Sequence, residues 1–236
     1  MRASRVLLAE RGVHVGLFDD EAPTPRVERV ESIEDWHALL VDEISFASRI
    51  WIDRALEQNV AVVIGTTAEG LDPGESSVIH QVLDGPGLAA ALASFDPEAV
   101  VPTAARLAWT ETGHPLAEGV AVTFPDPVGP LWAERAGVVD APFPTTALVA
   151  PTNGRWRAAT AQVTGASGVV STYGVADDRS FFDGVVMAAA ALAAADGAYP
   201  SGINGPGDTG GVFWRLAREA GLEVASFTPA AIAAPE

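Results

Sequence analysis

The chain has 236 residues, 48% of them hydrophobic, with 31 acidic and 14 basic residues and a formal net charge of -17 at pH 7. A chain of this length buries roughly 70–75% of its unfolded surface, so it builds a core without staples, and its acidity opposes nucleic-acid phosphates and anionic membranes. Every basic residue is arginine and there is no cysteine, which excludes PLP and other Schiff-base lysines, P-loop lysines, thiol nucleophiles, thiolate metal sites and disulfides.

The opening stretch, MRASRVLLAERGVHVGLFDD, is interrupted by Glu10 and Arg11 and has no cleavage site after an apolar core, so it is not read as a signal peptide. The longest apolar run, 184–197, is short of the ~20 residues that span a membrane, and the expected location is cytoplasmic. Residues 3–11 have helical spacing and end at Gly12, a suitable left-handed C′ residue, and VHVGLF then reads as a strand. Ser32 and Asp35 make a capping box that opens a predicted helix to about Leu56, with a break possible near Ser45. The run 59–65 reads as a strand buried on both faces. Strand, helix and strand together predict a parallel βαβ unit.

Residues 75–95 read as helical, interrupted by DGPG at 84–87. From about residue 98 the texture changes to paired strands. RLAWTET with VAVTF, and TALVAP with RWRAATAQV about the Asn153-Gly154 turn, predict hairpins, and VVSTYGV adds a strand. Ser180 and Asp183 then cap an Ala-rich helix, 181–195, apolar on nearly every side. The chain closes with a glycine loop, a helix, Gly221 and the strand LEVASF, and residues 229–236 read as a loose tail. The fold class expected is α/β in a single domain: a mixed sheet, parallel in its N-terminal part and antiparallel in the middle, with helices on the faces.

The stretch INGPGDTGG places Gly205, Gly207 and Gly210 at G-x-G-x-x-G spacing. A dinucleotide fingerprint needs a strand before the glycines, and a carboxylate about 20 residues on at the end of the next strand. AADGAYPS reads as a helix tail and turn, and the last strand carries only Glu223, at its start. NAD and FAD are therefore disfavoured. An anion held at the helix entrance by Gly205, Gly207, Asp208, Thr209 and Gly210 stays open, beside the plainer reading in which Asp208 or Thr209 caps the helix. VTGASG (163–168) is similar to the glycine turn of short-chain reductases, but those enzymes use a Tyr–Lys pair and this chain has no lysine; it reads as a β-turn. Gly165-Ala166-Ser167 also fails to complete a nucleophile elbow.

Asp19, Asp20 and Glu21 follow the first strand, and Thr66 and Thr67 follow the strand at 59–65. If those strands are neighbours, these residues face one crevice at the strands' carboxyl ends. Asp19 and Asp20 are there the candidate catalytic carboxylates and the candidate ligands for Mg²⁺, with Thr66 and Thr67 binding the ligand. Of the four histidines, His14 reads as strand, His37 and His80 as helix, and His114 as loop; His114 is the candidate acid/base. Two functions follow. One is a small-molecule enzyme acting on an anionic ligand at the strand ends. The other is a non-catalytic assembly subunit, a homo-oligomer joined through the helix 181–195.

Overall fold

The computed structural model describes residues 8, 11–18, 33–65, 68, 70–74, 78–81, 85–93, 95–96, 102–112, 145–152, 155–209 and 211–227. The chain divides into two compact units, Met1–Asp84 with Ser180–Leu222, and Gly85–Arg179 with Glu223–Glu236. The fold is α/β, with helices and two separate sheets.

The sheet of the first unit is parallel throughout, in the order β1 (Val15–Phe18), β2 (Ala38–Val41), β3 (Ala61–Ile64), β4 (Val78–Gln81), β9 (Gly202–Asn204). Ahead of β1, Val13 N–H donates to Leu8 O at 2.9 Å, and Gly12 has φ +69. That is the helix-ending geometry expected of Gly12; the body of the predicted helix lies outside the described residues. β1 needs a glycine for a different reason. A Cβ on Gly16 would lie 2.4 Å from the Trp36 ring, so only a bare backbone lets β1 pass beneath that buried indole.

The helix expected over 32–56 is not one helix. Ile33–Asp35 is a single 3-10 turn, ALLV is β2, and only Phe46–Glu57 is helical, here α1. Ser32 lies outside the described residues. The working capping box is Ser45 with Ser48: Ser45 Oγ accepts Ser48 N–H at 3.1 Å and Ser48 Oγ accepts Ser45 N–H at 2.7 Å. The error is physical. All four β2 residues are buried, as a central parallel strand requires, and a four-residue apolar run fits a helical stripe as easily as a strand. α1 ends at Asn59 in the left-handed region, φ 58, and feeds β3, completing a β2–α1–β3 unit. A further correction concerns 75–95, where β4 precedes the helix α2 (Gly85–Ala93).

The Ala-rich stretch forms α3 (Arg179–Ala195), where Phe182 and the whole run Gly184–Ala193 are buried. α4 (Val212–Glu219) buries Phe213, Trp214, Leu216 and Ala217. No helix among the described residues is long and apolar enough to cross a membrane.

The second unit has the sheet order β10 (Val224–Phe227), β8 (Val170–Asp178), β7 (Trp156–Gly165), β5 (Pro102–Thr112), β6 (Thr145–Thr152). All its pairs are antiparallel except β5–β6, which is parallel. TALVAP and RWRAATAQV were expected to pair as a hairpin, yet β5 separates β6 from β7; Asn153 and Gly154 lie outside the described residues, as does VAVTF. VTGASG does make the tight turn between β7 and β8, with Gly165 N–H donating to Val169 O at 2.8 Å and Gly168 at φ +78. α2 packs on β5 and β7. The contact is close at its first residue, where a Cβ on Gly85 would lie 2.4 Å from the buried Trp109.

Candidate functional site

Because the five strands of the first unit share one direction, their carboxyl ends form one edge, reached in turn at Phe18, Val41, Ile64, Gln81 and Asn204. Strand order follows chain order with no reversal, so a switch-point crevice of the doubly wound kind is absent from the described strands. With neighbours about 4.8 Å apart, the ends of β1 and β3 are about 10 Å apart, and those of β1 and β9 about 19 Å. The expectation that the first strand and the strand at 59–65 are neighbours is therefore corrected: β2 lies between them. Its own end leads into the exposed acids Asp42 and Glu43.

Asp19, Asp20, Thr66, Thr67, His114 and Gly210 lie outside the described residues. Phe18 and Ile64 fix only where the chain enters the first two pairs. Among the described residues there is no group of three or more histidines or acids placed to hold a metal ion.

The glycine loop is described from Gly205 to Thr209 and again from Gly211. Contrary to the reading of AADGAYPS and the residues after it, a strand does precede the loop: β9 pairs with β4 and runs directly into Gly205. Pro206–Thr209 is a 3-10 turn and α4 follows. Gly205 N–H donates to Asp208 Oδ2 at 2.6 Å. Thr209 Oγ1 accepts Phe213 N–H at 3.1 Å and donates to Pro206 O at 3.2 Å. The N-cap is Gly211, which makes no side-chain cap bond; Thr209 takes up the Phe213 N–H from two residues earlier, while Asp208 closes the loop on itself. Gly207 and Asp208 are exposed. The strand after α4, β10, joins the other sheet, so no carboxylate at the end of a parallel neighbour is supplied in the way a dinucleotide ribose requires.

Beside this loop lies a polar cluster that the sequence reading missed. His80, on β4 rather than in a helix, is fully buried; Tyr199 is 8% exposed and Asn204 4%. His80 Nδ1 lies 3.2 Å from Asn204 O, and Nε2 lies 2.6 Å from the Tyr199 hydroxyl. A carbonyl only accepts, so Nδ1 carries the proton, Nε2 accepts, and the Tyr199 O–H donates to it. Asn204 Nδ2 ties the same corner by donating to Pro200 O at 2.9 Å and Gly202 O at 3.0 Å. Phe213 of α4 meets the imidazole edge-on at 6.1 Å. Burial drives the His80 pKa down from 6.5 to about 3, only partly offset by its bond to Asn204 O. Burial first, and the nearby Asp208 carboxylate second, raise that of Tyr199. Both groups are neutral across the physiological range. A neutral, satisfied and buried network fixes β4 against β9 and sets the start of the loop. The signal that would have found it is VIHQV, a β-branched run whose histidine must be partnered once it is a buried strand.

His14 and His37 make a second, exposed pair just ahead of β1 and β2. Their rings stack at 5.9 Å, His14 N–H donates to His37 Nδ1 at 3.1 Å, and His37 N–H donates to His14 O at 2.8 Å. Neither is helical and both lie at the opposite end of their strands from the candidate edge.

No protein-family model matches the chain, and no curated protein matches it. Among solved structures it is similar to a dipicolinate-bound dihydrodipicolinate reductase from Paenisporosarcina sp. TG-14, with TM-score 0.40 and 12% identity over 86% of this chain and 92% of that one. A likeness at that level carries no functional argument.

Proposed function

We propose that the first unit binds a small anionic molecule at the carboxyl ends of its parallel strands, at the β9 loop, and that the chain is an enzyme acting on it without lysine or cysteine chemistry. The observation that carries this reading is the closure of Gly205 N–H on Asp208. A strand runs straight into a short loop at a helix entrance, and the first free N–H of that loop already holds a carboxylate. A ligand carboxylate or phosphate has the same chemistry to offer in exchange. β1 ends at Phe18, about 19 Å along the edge from β9; Asp19 and Asp20, next in sequence, are the proposed base and Mg²⁺ ligands.

A thermal-shift panel of phosphate, dicarboxylates, NAD(P), ATP and Mg²⁺ tests the reading. A ligand at 100 times its Kd stabilises the folded state by about 2.7 kcal/mol. The expected result is a shift with an anion that is lost in Gly207→Trp and enlarged in Asp208→Asn, where the competing carboxylate is gone. A flat panel for wild type and Asp208→Asn alike removes the proposal.

The assembly reading loses the surface first assigned to it. The run Gly184–Ala193 is buried within this chain, so α3 has no free apolar face there to offer another copy.

A further inference from the structure

The sheet of the second unit has two unlike faces. Along β5, β7 and β8 the buried residues alternate, as in Leu107, Ala161, Val163 and Tyr173, on the face that α2 covers. Described residues of the other parity are exposed or half-exposed, except Ala108 at 9%. Register aligns them across the strands, Arg106 with Gln162 with Thr172, and Thr172 with Phe227 of β10. Trp156 stands opposite Asp178 at one end of the same face.

Three properties set this bare face apart. Its side chains across the middle are mostly Thr, Ala and Gly, which leave a flat surface. Its strand charges among the described positions are Arg106 and Asp178, with the Arg155 guanidinium 5.9 Å over the Trp156 ring, on a chain of net charge -17. It also carries two of the chain's exposed large apolar side chains, Trp156 at 50% and Phe227 at 67%. An open antiparallel face in water usually alternates with charged and polar residues. Aromatic groups with a lone arginine among small, uncharged side chains are instead the composition of an interface.

We propose that this face is where a second copy of the chain docks, sheet on sheet. Two molecules each at net charge -17 repel as wholes, and on this face they meet without opposing carboxylates at the centre. Area suffices. Five strands about 4.8 Å apart and about eight residues long give a footprint of roughly 650 Å² per copy. The pair then buries about 1,300 Å², within the roughly 1,200–2,000 Å² of stable complexes.

Sedimentation of the full chain at micromolar concentration decides it, using wild type, Phe227→Ala, Gln162→Glu and, as a control off the face, Gln58→Glu. Wild type and control are expected at twice 24.4 kDa. Phe227→Ala should raise the dimer Kd about tenfold, and Gln162→Glu, whose carboxylate faces Arg106 within its own chain and so spares the monomer, should raise it further. A monomeric wild type overturns the proposal, and so does a dimer indifferent to both face variants. Oxidative footprinting of wild type needs no substitution: Trp156 and Phe227 become protected as concentration rises, and unchanged labelling overturns the proposal as well.

Discussion

In the first unit the strands have three or four residues; β1, β2 and β3 are largely buried on both faces, while β9 leaves Ile203 47% exposed. In the second, strands of eight to eleven residues make up β5 to β8, and the described side chains of β5, β7 and β8 alternate between a face under α2 and a more exposed face. On the two proposals above, the parallel sheet would offer a ligand its strand-end loops, and the second sheet would offer another copy its face. Two polar sites illustrate the contrast. His80 is inside and neutral, while Arg106 and Gln162 lie outside.

The sharpest way to break the comparison is at His80. His80→Ala leaves the Tyr199 hydroxyl and Asn204 O unpaired around a cavity, and should cost about 3–5 kcal/mol in urea unfolding. A loss below about 1 kcal/mol would mean that the corner is wet and open after all. Next come two glycines held under tryptophan rings, one in each unit. Gly16→Ala and Gly85→Ala each bring a Cβ to 2.4 Å of an indole, and each should cost about 1–3 kcal/mol. If one unit relaxes and the other does not, hydrogen exchange will show which of the two is rigid.

Acid supplies the third test. His80 titrates at about 3 when folded, against 6.5 unfolded, so below pH 6.5 the unfolded chain takes up the proton first. Stability attributable to this group is complete above 6.5 and falls as pH drops towards 3, by about 2 kcal/mol at pH 5. His80→Leu/Tyr199→Phe should lack that part of the acid slope. The smallest effect is at the start of α1: Ser45→Ala should cost about 1 kcal/mol and Ser48→Ala a similar amount, since each serine caps the other.

Legibility followed the same division. Where one face is bare, alternation made β5, β7 and β8 readable, and the Gly168 turn with them. Where both faces are buried, ALLV and VIHQ had no alternation to show, and β2 and β4 passed for helix. Pairing was harder than existence: Asn153-Gly154 marked a turn, but nothing local says that β6 crosses to lie beside β5. At the candidate edge the glycine loop was seen and its strand was not, because β9 has only three residues and follows a proline and a glycine turn. Tyr199 and His80 are 119 residues apart. No spacing rule reaches that far.

The bond from Gly205 to Asp208 has a further consequence. If the loop takes an anion as proposed, a carboxylate tethered three residues away would act as an internal competitor with an effective concentration in the millimolar range or above. An incoming monocarboxylate gains nothing by replacing like with like. The loop would then ignore the common background of small organic acids and respond to an anion that brings more charge, or a second point of attachment. A side chain that looks like a simple turn-former would set the threshold of selectivity.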